Sequence, residues 1–378
     1  MTMREERDAL EARIHAFLDV CASSPGTLRD AERDALMSEV ARLQSDHVRP
    51  FQKLARARHA RFDRGPSGWP ALPTDVYRFA QVSLFAEAEW TRVFRTSGTT
   101  SGARGTHPFL SLALYDHAAR IAADHALFAH AEQPMDFVLL AYSPENHGDS
   151  SLSHMLDSFA TRAARDHGAR VTWALDEHAV NVDALDRALS QATREGRPVA
   201  LLGTSFAFVF AEDALASRGL RYALPEGSRL MFTGGFKGKS REVAPDELRA
   251  QLKARYGVRG THLVSEYGMT ELSSQLYGRS LLTLQEESPE RLWAPPWMRI
   301  TAVDPITLEA VPEGEVGILR IDDLANLDSC VSIQTADFGR VFADAGEGHR
   351  SVILLGRDPT STPRGCSLAI EEALAQKP

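Results

Sequence analysis

The sequence predicts an α/β protein whose core is a largely parallel sheet, entered through a helical lead-in. The first observation behind this is a series of short apolar runs rich in β-formers, at residues 137–141, 171–174, 199–202, 230–233 and 261–264. The second is that amphipathic stretches at 151–167, 182–194 and 245–256 alternate with them, the last opening on Pro245 and closing on Gly257. Buried strands alternating with helices are the mark of βαβ units, in which ligands gather at the carboxyl ends of the strands. The third is a change beyond Pro295-Pro296, where strands and turns take over at 298–303, 316–321 and 352–355, with Pro312-Glu313-Gly314-Glu315 as a turn.

From the start of the chain, residues 3–20 and 27–44 show helical spacing. In the second stretch Leu28, Ala31, Leu36, Val40 and Leu43 share a face, with Asp and Glu early in the segment. Gly65, Pro66, Gly68, Pro70 and Pro73 make 62–75 a loop and the clearest break in the first third. The expected division is a helical lead-in over 1–75, a core domain over 76–355 and a tail over 356–378. There is no internal repeat and no low-complexity segment.

With 43% hydrophobic and 25% charged residues the chain has the composition of an ordinary soluble protein. No run approaches the length of a membrane span, and Met1-Thr2-Met3-Arg4-Glu5-Glu6-Arg7 lacks the apolar core of a signal peptide, so the expected location is the cytoplasm. A net charge of −9 argues against nucleic acid as the main partner, whereas a nucleotide needs only a local basic site. Cys21, Cys330 and Cys366 show no C-x-x-C spacing, so neither a disulfide framework nor a zinc site is indicated. Basic charge is carried almost wholly by arginine, yet two of the few lysines, Lys237 and Lys239, fall in one glycine-rich loop, Gly234-Gly235-Phe236-Lys237-Gly238-Lys239-Ser240.

The stretch with the most chemistry follows Val93-Phe94: Arg95-Thr96-Ser97-Gly98-Thr99-Thr100-Ser101-Gly102-Ala103-Arg104-Gly105-Thr106-His107. Glycine tolerates positive φ and lets the main chain approach a ligand, so such a loop can turn backbone N–H groups and hydroxyls toward one phosphate. The same composition suits a plain flexible turn; the order of residues separates the two readings. No lysine follows the last glycine, so this is not a Walker loop.

The T-S-G-T-T-S-G-x-x-G order resembles the phosphate-binding signature of the adenylate-forming enzymes, the superfamily of acyl-CoA synthetases and peptide-synthetase adenylation domains. That resemblance implies that Thr96, Ser97, Gly98, Thr99, Thr100, Ser101, Gly102 and Arg104 hold the ATP phosphates while a carboxylate attacks the α-phosphorus. Arg104 stands where the signature has lysine, which keeps the charge and changes its shape. Further stretches fit the same pattern in order. Thr233-Gly234-Gly235-Phe236 ends a strand run, and the resemblance places Gly234 and Gly235 beside the adenine. Tyr267-Gly268-Met269-Thr270-Glu271 resembles the Y-G-x-T-E motif, which implies Tyr267 against the adenine, Thr270 on phosphate and Glu271 as a magnesium carboxylate. Magnesium is a hard cation that takes oxygen ligands and offsets charge on departing pyrophosphate. Thr335-Ala336-Asp337 stands for T-G-D, with Asp337 on the ribose hydroxyls, and Gly356-Arg357-Asp358 resembles the segment leading to the inter-domain hinge. His147, in a loop after a strand, corresponds to a histidine that borders the carboxylate pocket.

The chain departs from that superfamily where a mobile C-terminal domain is expected: only a short tail follows Gly356, and it carries Arg364-Gly365-Cys366-Ser367-Leu368. A thiol cannot take an acyl group from a free carboxylate but can take it from an acyl-AMP, and a neighbouring cation such as Arg364 lowers a thiol pKa. This layout resembles the acyl-protein synthetase family of the bacterial fatty acid reductase system. The resemblance implies ATP-dependent activation of a fatty acid, transfer to Cys366 as a thioester, and delivery to an acyl reductase or carrier protein. With the usual catalytic lysine absent, Lys237 or Lys239 is the candidate to neutralise the carboxylate or the α-phosphate during adenylation. Two other readings stay open: a ligase delivering an aryl or short-chain acid directly to a carrier protein, CoA or biosynthetic enzyme, and an inactive nucleotide-binding module. Candidate acid-pocket residues are Phe206, Ala207, Phe208 and Phe210. Oligomeric state is left open, with self-association possible.

Overall fold

The computed structural model describes residues 2–24, 27, 29–96, 104–176, 179–234, 243–286, 290–343 and 350–357. Its helices are α1 (Met3–Ser23), α2 (Asp30–His47), α3 (Arg49–Ala57), α4 (Ala113–Ala126), α5 (Ser151–His167), α6 (Val182–Glu195), α7 (Ser205–Ser217), α8 (Pro245–Tyr256) and α9 (Ser280–Thr283). Its strands are β1 (Leu72–Pro73), β2 (Arg92–Arg95), β3 (Thr106–Phe109), β4 (Asp136–Leu140), β5 (Val171–Trp173), β6 (Val199–Thr204) and β7 (Arg229–Thr233). They continue with β8 (Leu263–Tyr267), β9 (Leu276–Gly278), β10 (Leu292–Trp293), β11 (Met298–Val303), β12 (Val316–Asp323), β13 (Ser332–Ala343) and β14 (Arg350–Arg357).

The chain forms two compact units, one of residues 1–121, 269–275 and 293–378, the other of residues 122–268 and 276–292. In the second unit β5, β4, β6, β7 and β8 lie side by side and parallel, and β9 adds antiparallel to β8. The sequence predicts this parallel set from the apolar runs inside its strands; β4 and β7 are buried at every residue. Its core joins Val138, Leu140, Leu185, Leu189, Leu201, Phe208, Leu230, Phe232, Leu252 and Tyr256, side chains from both strands and flanking helices. Three of the crossover helices stop where the sequence supplies a left-handed cap: Gly168 after α5, Gly196 after α6 and Gly257 after α8, all at φ between 62° and 67°.

The first unit holds the lead-in helices and the antiparallel run β11-β12-β13-β14, with β1 parallel against β13. α1 opens with a capping box in which Thr2 accepts from the Glu5 N–H and the Glu5 carboxylate takes the Thr2 N–H. Two long-range anchors seat the lead-in. The buried Arg7 donates to Asp328 at 2.8 Å, and the fully buried Gln44 carboxamide satisfies the carbonyls of Asn326 and Leu327 and the N–H of Val331. Strands β2 and β3 form a separate hairpin.

Candidate active site

The hairpin β2–β3 is the stem of the glycine-rich stretch. Thr96 N–H donates to the Gly105 carbonyl at 3.0 Å and Gly105 N–H to the Thr96 hydroxyl at 2.8 Å, so the two ends of the loop are tied to each other. A side chain at Gly105 would crowd that hydroxyl-bearing residue, with its Cβ 3.1 Å from Thr96 Cγ2. Arg104 turns its Nε toward the Thr96 carbonyl at 2.6 Å and one Nη toward that of Arg95 at 3.2 Å. Ser97, Gly98, Thr99, Thr100, Ser101 and Gly102 lie outside the described residues, as do Gly235, Lys237, Lys239 and Cys366.

Beyond the hairpin, β3 places His107 in the interior of the first unit at 1% exposure. Its Nδ1 lies 2.6 Å from the Thr270 carbonyl and its Nε2 2.8 Å from the Ser329 hydroxyl. Burial pushes its pKa down to about 4, so the ring is neutral at ordinary pH. The next carbonyl, that of Glu271, accepts from Asn326 Nδ2 at 2.9 Å. Two residues later the buried Asp323 takes over, accepting from Ser273 N–H at 3.0 Å and the Ser274 hydroxyl at 2.8 Å, while Trp297 Nε1 donates to the same hydroxyl. Burial raises Asp323 to about 6 against these donors. Thr270 to Ser274 is thus held from behind by side chains remote in sequence, with Glu271 itself 9% exposed.

Elsewhere in this unit β13 and β14 bring Asp337 and Arg357 into register, and Arg357 Nε donates to the Asp337 carboxylate at 2.6 Å. Gly356, just before, sits at φ 89°, open to glycine and strained for other residues.

The second unit carries the remaining expected positions at the carboxyl ends of its parallel strands. Thr204, Thr233 and Glu266 are register neighbours across β6, β7 and β8. Gly234, at φ 73°, follows β7, and its carbonyl accepts from the Ser205 hydroxyl at 2.8 Å. Tyr267 ends β8, and Gly268 is the last residue before the chain passes to the first unit at Met269. His147 stands exposed in the turn before α5, its ring 4.1 Å from that of Tyr142. α7 divides the phenylalanines expected to line one pocket: Ala207 and Phe208 enter the core, whereas Phe206 and Phe210 pair edge-on on the other side, Phe210 being 45% exposed. Successive helical residues point in different directions, so the four candidates do not share one face.

Sequence reasoning passed over His107, Asn326, Asp323 and Glu266. Glu266 lies beside the Y-G-x-T-E stretch and is a carboxyl at 6% exposure; burial lifts it to about 7, and a hydrogen bond with Thr233 works the other way. It lies two residues past the apolar run at 261–264, so no pattern in the sequence marked it as buried.

The fold is shared with 2-hydroxyisobutyryl-CoA ligase. An open conformation of that enzyme, solved with 2-HIB-AMP and CoA, superposes with a TM-score of 0.60 at 15% identity, over 90% of this chain and 78% of the other. Its thioesterification state gives 0.60 at 16% identity, over 88% and 69%. At that identity the likeness is one of α/β fold. A long-chain-fatty-acid–luciferin-component ligase of Vibrio harveyi is 19% identical over 208 residues, a match spanning 54% of this chain and about half, 53%, of that relative. The acyl-protein synthetase family, LuxE, matches over residues 49–375, and the chain belongs to that family.

Proposed function

We propose that this chain uses ATP to convert a carboxylic acid, in the first instance a fatty acid, into an acyl-AMP, and then carries the acyl group as a thioester on Cys366 toward an acceptor protein such as an acyl reductase or acyl carrier. The observation that carries the reading is family membership joined to a Tyr267–Glu271 stretch that leaves the end of a parallel strand, where such folds take ligands.

In this reading the Thr96 to Arg104 loop, closed at its stem, holds the nucleotide phosphates, with Thr270 contributing a hydroxyl. Tyr267, Gly268, Met269, Gly234 and Gly235 border the adenine, and Asp337 with Arg357 faces the ribose. His147 borders the acid, and Lys237 or Lys239 screens the meeting of carboxylate and α-phosphate. Among the described residues no group of three or more His, Cys, Asp or Glu could hold a metal. Glu271, a carboxylate at the end of the Tyr267–Glu271 stretch, would be the protein ligand of magnesium carried in on the nucleotide phosphates, a hard cation that takes oxygen ligands. When bound, the ion offsets charge on the leaving pyrophosphate. In the second half-reaction the Cys366 sulfur bonds to the acyl carbon, the bond from that carbon to the phosphate oxygen breaks, AMP leaves, and the thiol proton passes to solvent.

The test is radiolabelled fatty acid with ATP. Label is expected on the denatured protein, released by hydroxylamine and absent from Cys366→Ser. Full transfer by Cys366→Ser would assign direct delivery instead, and absence of acid-dependent pyrophosphate exchange would sink adenylation altogether. Lys237→Ala and Lys239→Ala are each expected to slow that exchange; if neither does, the lysines have no part in it.

A further inference from the structure

The two stretches assigned to the nucleotide phosphates meet, within the first unit, through one side chain. His107 is the third residue past Arg104 and belongs to the strand that forms the stem of the phosphate loop. A carbonyl oxygen can only accept, so the 2.6 Å contact to Thr270 requires the hydrogen on Nδ1, and Nε2 then accepts from the Ser329 hydroxyl. One tautomer satisfies both partners. Its centroid lies 4.3 Å from that of Phe109 and 5.7 Å, edge-on, from that of Tyr77, so aromatic rings flank it. Asn326, bonded to the Glu271 and Cys330 carbonyls, supports the adjacent peptide from the same loop that supplies Ser329.

We propose that His107 is a positioning residue that locks the stem of the phosphate loop, with Thr96 and Arg104 at its two ends, to the Thr270–Glu271 corner, so that these ends and Glu271 keep one spacing while ATP is used. The proposal rests on the roles given above to Thr270 and Glu271. A neutral ring, held neutral by burial, does this without adding charge beside the phosphates. It touches neither substrate nor metal in this assignment; it acts through the backbone of residues that do.

Two variants of the full chain separate this role from general stability. His107→Phe keeps the ring contacts and removes both hydrogen bonds, whereas His107→Asn keeps a donor at the position of Nδ1. His107→Phe is expected to lower kcat/KM for magnesium-ATP in pyrophosphate exchange about 10- to 100-fold, the usual cost of removing a group that orients a metal-binding one. KM for the acid, and acylation of Cys366 from preformed acyl-AMP, should stay within about twofold, since neither needs the pyrophosphate end of the site. His107→Asn should recover most of the exchange rate. Independently of turnover, wild-type protein should show an exchange-protected imidazole N–H proton resonance that both variants lack.

Equal loss of exchange and of acylation from acyl-AMP would mark a merely structural residue and overturn the proposal, as would a His107→Phe enzyme with wild-type magnesium-ATP kinetics. Should His107→Phe not fold, Ser329→Ala, which frees the Nε2 end and keeps the Thr270 contact, is expected to show the same split at smaller amplitude, and its absence overturns the proposal equally. Wild-type protein without acid-dependent exchange would instead remove the adenylation reading, whatever the variants did.

Discussion

Glu266 and His262 pull stability in opposite directions over the same range of pH. Glu266 holds its proton up to about pH 7 when folded but only to about 4.5 as a free side chain, so the folded state binds more protons and loses stability as pH rises through that window. His262 is lowered by burial from 6.5 to about 4, so it binds fewer protons when folded and loses stability as pH falls. Glu266→Gln deletes the first effect and keeps the second. Its stability relative to wild type is therefore expected to rise from pH 4.5 to above pH 7, by up to about 3 kcal/mol. Denaturant titrations at several pH values measure it, and a difference that stays flat with pH would contradict the burial argument. At this scale a sequence offers a candidate site where its residues are contiguous, as in Tyr267 to Glu271. It is silent where a role is made by distant partners. His107 meets Thr270 across 163 positions and Asp323 meets Ser273 across 50, and a lone buried histidine or aspartate carries no spacing that announces this.

Among the elements, α5, α8 and β11 appear over the residues their periodicity and caps predict, because each shows its period or its punctuation directly. α7 was hidden by its own composition. A helix carrying Phe206, Phe208, Val209, Phe210 and Leu215 has apolar residues on several sides, so no single stripe betrays the 3.6-residue period. β13 was hidden for the opposite reason, since Gln334, Thr335, Asp337 and Arg340 interrupt a twelve-residue strand whose pairing on both edges decides its conformation. Close packing between β4 and β6 supplies the prediction at this scale. A Cβ on Gly203 would stand 2.6 Å from both the Cβ and the carbonyl oxygen of Leu140, its register partner. Gly203→Ala is expected to cost about 1–3 kcal/mol through displaced backbone, read as a lower denaturant midpoint. An unchanged midpoint would show that the two strands part without strain.

At the scale of the whole molecule the chain passes between its two units at 121/122, 268/269, 275/276 and 292/293, so neither unit is a continuous piece of sequence. A cut after residue 292 removes Asp328 and Val331, to which Arg7 and Gln44 are bonded, and leaves 122–292 whole. In such a fragment the amides of α1 and α2 are expected to exchange with solvent like an unfolded chain while those of β4, β6 and β7 stay protected. Protection throughout would mean that the lead-in helices stand without their anchors. The two cysteines within the described residues bear on how the third is studied. Cys21 and Cys330 are buried, and burial lifts their thiols to about 11 and about 12, which leaves them almost wholly unionised near neutrality. A brief pulse of alkylating reagent on the native protein therefore bypasses both. Whatever cysteine adduct it leaves is expected at position 366, so Cys366→Ser should take up none, and an adduct that persists in that variant would show that burial does not shield the other two.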